Sequence, residues 1–187
     1  MTSKTRTLKN KALNLFEAEV TSPETYEHFK SLLPNSPNLC KGKTKTNKKS
    51  YKVHIATHSN YDTLIKNNHY KLIYIHNNRE VLAYISVKKY KKDGGFLFIH
   101  KLCSSQSGLG TYLMNKILDH ARKNFEKLGI TYISLTTHNM DLVGYYNKFA
   151  PTFTHIVSRP GSKAKNVPKV AYMIWKLSEA MPNYSYS

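Results

Sequence analysis

The chain has 187 residues, with 29 Lys and Arg against 11 Asp and Glu, a formal charge of +18 and 40% apolar residues. That length supports one domain with a real hydrophobic core, and no run approaches the roughly 20 apolar residues of a membrane span. The N-terminus carries no apolar signal core, so the expected setting is cytoplasmic, and the charge suggests an anionic partner such as nucleic acid or a phosphorylated ligand. A plain compositional bias is the competing account of that charge. Lysine dominates, and only Arg6, Arg79, Arg122 and Arg159 offer the fork that best suits phosphate.

Residues 1–10 are polar and basic without periodicity. "KALNLFEAEV" and "ETYEHFKSLL" read as helices, the second with Ser22 as N-cap, Pro23 at its first position and Pro34 beyond its end. Cys40 and Cys103 have no metal spacing and make no disulfide framework, so both are expected as free thiols. "KGKTKTNKKS", Lys41 to Ser50, reads as a basic linker. The expected organisation is therefore a helical and basic extension over 1–48, one domain over 49–179 and a tail over 180–187.

Within that domain "YKVHIAT" alternates as a strand and "NYDTLIKNN" is a short helix. "YKLIYIH" and "EVLAYISVKKY" are strands joined through Asn77-Asn78, residues that tolerate a tight hairpin turn. "KKDGG" turns the chain into "FLFIHKLC". From Gly110 the apolar period lengthens, with Leu113, Ile117, Ala121 and Phe125 on one helix face and Gly129 as its C-terminal cap. "TYISLTT" is a strand, "NMDLVGYYNKF" a helix with Asn139 as N-cap, and "PTFTHIV" and "VAYMIWKL" are two last strands.

Between the fourth expected strand and the long helix stands "CSSQSGLGTYLM". A strand that opens a helix through Gly-x-Gly aims several N–H groups at one point, where the helix dipole favours negative charge. Gly108 and Gly110 remove β-carbons that would keep a phosphate off the backbone. Neither a dinucleotide fingerprint nor a P-loop is present. A second account is structural, with Gly108 ending the turn and Gly110 allowing close helix–sheet packing. Downstream, Tyr146 lies two helical turns after Asn139, a spacing that also suits a half-buried core aromatic.

The order of elements, the glycine turn and the asparagine–tyrosine helix together resemble the GNAT superfamily of acetyl-CoA-dependent N-acyltransferases, over about Tyr51 to Leu177. That family carries R/Q-x-x-G-x-G/A in this turn. Here Gly108 and Gly110 match, Ser105 stands at the arginine or glutamine position, and Gln106 follows one place late. The family pattern of asparagine, tyrosine seven residues on and lysine is met by Asn139, Tyr146 and Lys148, whereas Phe149-Ala150-Pro151 replaces the usual Gly-Phe. The resemblance implies a mixed α/β (α+β) fold with a mostly antiparallel sheet, splayed fourth and fifth strands and flanking helices.

It further implies acetyl-CoA as donor, a primary amine as acceptor and direct transfer in a ternary complex, with no metal. Cofactor contacts fall on Leu102, Cys103, Ser105, Gln106, Ser107, Gly108, Leu109, Gly110, Thr111, Asn139 and Tyr146. Strand backbone near "IHKLC" would stabilise the oxyanion, and Tyr146 would protonate the departing thiolate. His100 and His138 are candidate bases, and the competing account of each, which is preferred, is an ordinary strand-end histidine. Two other functions stay open: a catalytically silent CoA-binding module, and a basic nucleic-acid-binding protein using "KGKTKTNKKS" and "VKKYKK". The expected assembly is a monomer or homodimer, without a membrane.

Overall fold

The computed structural model describes residues 6–10, 13–40, 60–158 and 169–177. The chain forms two compact units, Met1–Lys88 with His100–Met114, and Lys89–Ile99 with Asn115–Ser187. The expected linker Lys41–Ser50, the 48/49 boundary, the strand over 51–57 and the tail over 180–187 lie outside the described residues.

The first unit holds β1 (Arg6–Asn10), β2 (Leu13–Glu19), α1 (Pro23–Leu32), α2 (Tyr61–Lys66), β3 (His69–His76), most of β4 (Val81–Tyr90) and the end of β5 (Phe96–Ser104). Its strand order is β1-β2-β3-β4-β5. The helix expected over residues 11–20 is a correction: Leu13–Glu19 is strand, in antiparallel register with β3 from Phe16↔His76 to Glu19↔Ile73. Its helical pattern loses because β3 would otherwise leave one row of backbone groups unpaired. Val20 continues the edge, donating from N to Leu72 O at 2.9 Å.

Ser22 caps α1 as expected. The Thr25 N–H donates to Ser22 Oγ at 3.4 Å and the Ser22 N–H donates to Thr25 Oγ1 at 3.0 Å, a reciprocal capping box. Tyr26, Phe29 and Leu32 of α1 then share one core with Ala18, Leu72, Tyr74 and Tyr84. The described part of the expected N-terminal extension is thus built into the same hydrophobic core as β3 and β4. Asn78, at φ +67, provides the left-handed residue of the β3–β4 hairpin.

Cys40 and Cys103 are joined by a disulfide with Cα atoms 4.8 Å apart, which corrects the expectation of two free thiols. A separation of 63 residues hides that pairing from the sequence. Cys103 enters the core from β5, and the turn after α1 brings Cys40 against it.

The second unit contains the start of β5, most of α3 (Leu109–Leu128), β6 (Tyr132–Thr137), α4 (Asp141–Asn147), β7 (Phe153–Ser158) and β8 (Lys169–Lys176). Its strands follow the order β5-β6-β8-β7. β5 and β6 are parallel because α3 carries the chain back between them. Their registered pairs stop at Phe98↔Ser134, although β6 runs on to Thr137 while paired with β8 on its other side. The pairs β1–β2, β2–β3, β3–β4, β6–β8 and β7–β8 are antiparallel, so the sheet is mixed and mostly antiparallel, as expected.

Leu113, Ile117 and Ala121 of α3 are buried as their spacing predicts, and Phe125 is half-buried. Gly129 ends α3 at φ +59, a conformation open to glycine at little cost. Leu97, Ile133, Leu135, Met173 and Trp175 form a buried sheet face, while all six β7 residues are exposed. Among the described residues no helix is long and apolar enough to cross a membrane.

Candidate active site

The turn after β5 is anchored before it reaches its glycines. Ser105 donates twice to the Leu82 carbonyl, from N at 2.8 Å and from Oγ at 3.0 Å. The Gln106 N–H donates to Ser104 Oγ at 3.3 Å, and that hydroxyl in turn donates to the Gln106 carbonyl. Ser105 and Gln106 therefore spend their own N–H groups on the turn, and Ser107 and Gly108 are exposed at its tip.

Gly108 adopts φ +85, where an L side chain is strained, although a β-carbon there would meet nothing within 4 Å. The first helical bond runs from Tyr112 N to Gly108 O at 2.9 Å. The N–H groups of Leu109, Gly110 and Thr111 accordingly precede the hydrogen-bonded ladder of a 20-residue helix. These three amides lie at the positive end of that dipole, where negative charge is favoured. Ser105 and Gln106 bond their N–H groups within the turn, whereas Leu109, Gly110 and Thr111 precede the ladder. Leu102 is half-buried on β5, and Cys103 can offer only main chain because its sulfur is bonded to Cys40.

In the second unit α4 starts at Asp141, and Met140 occupies the N-cap position expected for Asn139. Asn139 caps from one residue earlier: its Oδ1 accepts from the Asp141 N–H at 3.0 Å. Thr137 fixes this entry, since its Oγ1 accepts from Asn139 N at 3.1 Å and donates to Asn139 O at 3.2 Å. Tyr146 is buried at 8% exposure, and burial, with Tyr145 beside it, pushes its phenol up to about 12. Tyr145 packs edge-on to Tyr146 at 5.1 Å and to Phe149 at 5.4 Å. Tyr146 is therefore the buried phenol of the pair, and half-buried Tyr145 packs against it.

His100 is half-buried with its ring edge-on to His69 at 5.3 Å, and the His69 Nδ1 lies 2.7 Å from Ser86 Oγ. His138 is exposed after β6. Sequence reasoning missed two further groups in the first unit. Glu17 is a buried carboxylate whose Oε2 accepts from the Tyr112 hydroxyl at 2.6 Å. A cleft of about 440 Å³ is lined by Phe16, His28, Tyr74 and His76 among others, and by none of the expected site residues. There His28 Nδ1 stands 2.6 Å from Tyr74 Oη, and burial together with His28 holds His76 down to about 4. Reading residues 11–20 as helix hid Glu17, and only β2–β3 register would have revealed the cleft. Among the described residues no group of three or more His, Cys, Asp or Glu could hold a metal ion.

A search of curated protein sequences found no match. Solved structures do match in fold. A GNAT-family acetyltransferase from Streptococcus pneumoniae aligns with TM-score 0.55 and 16% identity, covering 88% of this chain and 99% of that one. The ribosomal-protein-S18-alanine N-acetyltransferase of Escherichia coli aligns with TM-score 0.49 and 12% identity over 99% and 100% of the two chains. A GNAT-family acetyltransferase from Elizabethkingia anophelis with acetyl-CoA bound aligns with TM-score 0.45 and 16% identity over 62% and 80%. The Streptococcus likeness carries the fold argument. The sequence model of the acetyltransferase (GNAT) family matches residues 39–150, more than half of the chain and the whole stretch from β3 through α4. With the glycine turn opening α3 and the asparagine–tyrosine entry to α4 in their places, the chain belongs to the GNAT acetyltransferase family.

Proposed function

We propose that this GNAT acetyltransferase moves the acetyl group of acetyl-CoA to a primary amine by direct attack in a ternary complex. One observation carries the donor half of the reading: left-handed Gly108 followed by three amides at the positive end of a 20-residue helix. These amides suit the pyrophosphate of coenzyme A. Because the grip is made by main chain, Ser105 in place of the family's arginine or glutamine removes little of it.

Bound acetyl-CoA would supply an activated thioester. The chain's own residues would do the rest. One main-chain N–H of the β5 segment Ile99–Cys103 would face the carbonyl oxygen as it gains charge. Tyr146, whose burial keeps it protonated throughout the neutral range, would donate its proton to the departing sulfur. A lysine-like amine of pKa about 10.4 is only ~0.1% neutral near pH 7.4, so His100 or His138 would take its proton directly or through water.

Calorimetry with acetyl-CoA, followed by thiol release across peptide, polyamine and amino-sugar acceptors, tests this reading. Binding together with turnover of one acceptor class supports it. Binding without turnover of any amine leaves a silent CoA module, and absence of binding removes the donor site as well.

A further inference from the structure

The registers of the second unit place one set of side chains on the sheet face opposite Leu97, Ile133 and Trp175. Phe96 pairs with Tyr132, Tyr132 with Lys176, Thr136 with Tyr172, Tyr172 with His155 and Phe153 with Ile174. Directly paired residues project to the same face. The half-buried rings of Tyr90 and Phe96 and the buried ring of Tyr132 stack in sequence, with centroids 4.9 Å apart at each step, and pack the inner part of this face. Toward the free edge Phe153 is 52% and Tyr172 41% exposed, with Val157 beside them at 37%. A sheet that only needed a solvated outer face would carry polar residues at such positions.

Cations frame those rings. The Lys176 ammonium lies 5.4 Å from the Phe153 ring centroid. Lys91 and Lys92 are exposed in the turn that leads into Phe96. A chain of net charge +18 repels a second copy of itself and attracts a polyanion. Two exposed rings, Phe153 and Tyr172, with Lys176 against the first, match unstacked bases, whose π-faces are available only in single strands. Duplexes hide those faces.

From this face we infer a second binding function, separate from the acetyl-CoA reading: the β6-β8-β7 sheet face binds single-stranded nucleic acid. Bases stack on Phe153 and Tyr172, and Lys176, Lys91 and Lys92 neutralise the phosphates.

Fluorescence anisotropy of a labelled 15-nucleotide oligouridylate with the full chain, titrated at several KCl concentrations, tests the inference. The parent should bind at low salt with a steep salt dependence, and duplex RNA should compete poorly. Phe153→Ala with Tyr172→Ala should weaken binding by about tenfold or more, with an unchanged thermal melt, since both rings are exposed. Replacing Lys91, Lys92 and Lys176 by Gln should reduce the slope of log K against log salt by about 2. Failure to bind at low salt overturns the inference. So does oligouridylate binding that the ring variant leaves intact, which would place the contact on other basic segments. Conversion of a dimer to monomer by the ring variant, seen by sedimentation, would make the face a self-interface and also overturn it.

Discussion

The two helices that follow the parallel strands begin in opposite ways. α3 starts from a turn whose serine and glutamine N–H groups are consumed internally, so what it presents is main chain: Leu109, Gly110 and Thr111 ahead of a 20-residue ladder. α4 has seven residues, and its entry is held by the side chains of Thr137 and Asn139, with a buried phenol two turns later. A main-chain device tolerates side-chain drift and fails when backbone conformation is lost. A side-chain device fails one atom at a time.

The largest expected effect breaks the main-chain device. Gly108→Val places a β-branched residue at φ +85, a conformation costing about 1–2 kcal/mol for an L residue before any steric clash with a ligand. Acetyl-CoA binding by calorimetry should fall below detection while circular dichroism still reports a folded chain. Retention of parental affinity would take the pyrophosphate away from this turn.

Next comes the atom-level failure of α4. Tyr146→Phe should lower kcat about 10²-fold and leave acetyl-CoA affinity unchanged, whereas Tyr145→Phe should leave kcat nearly intact. The pH behaviour sharpens this prediction. Burial raises the Tyr146 phenol from 10.0 to about 12, so no limb of the kcat profile below pH 10 belongs to it. A raised folded-state pKa contributes stability that is whole below the unfolded value of 10.0 and is lost as pH rises through about 12. Tyr146→Phe should flatten that alkaline loss in denaturation curves, and equal slopes for variant and parent would contradict the burial effect.

A contrasting acid-side test uses the first unit. His76, depressed from 6.5 to about 4 by burial and by His28, contributes stability that is present above pH 6.5 and lost as pH falls through 4. His76→Phe should reduce the slope of stability against pH across that window, leaving the alkaline window unchanged. The smallest effects define the edges of the comparison. Asn139→Ala should cost about 1 kcal/mol in thermal or urea unfolding, the usual value of a helix-entry side chain. Gln106→Ala should change acetyl-CoA affinity by no more than about twofold, because that side chain makes no part of the amide set. A large loss for Gln106→Ala would return the family's side-chain grip to the turn.

Local signals in the sequence were sufficient wherever a few neighbouring residues settle the outcome. Ser22 and Pro23 opened α1, Asn78 turned a hairpin at φ +67, Gly129 closed α3, and Gly108 at φ +85 marked the turn that opens α3. Helix caps and positive-φ turns depend on contacts a few residues apart, which is why they were legible. Tertiary structure decided what depends on distant partners. Residues 13–19 became strand because β3 offered an unpaired edge, and that pairing put Glu17 where its carboxylate accepts from the Tyr112 hydroxyl. Cys40 met Cys103 across 63 residues, and Asn139 yielded the N-cap position to Met140 once Thr137 fixed the entry. A seven-residue segment has no intrinsic preference strong enough to outweigh a row of unsatisfied backbone groups beside it, so its fate is set by the sheet it meets.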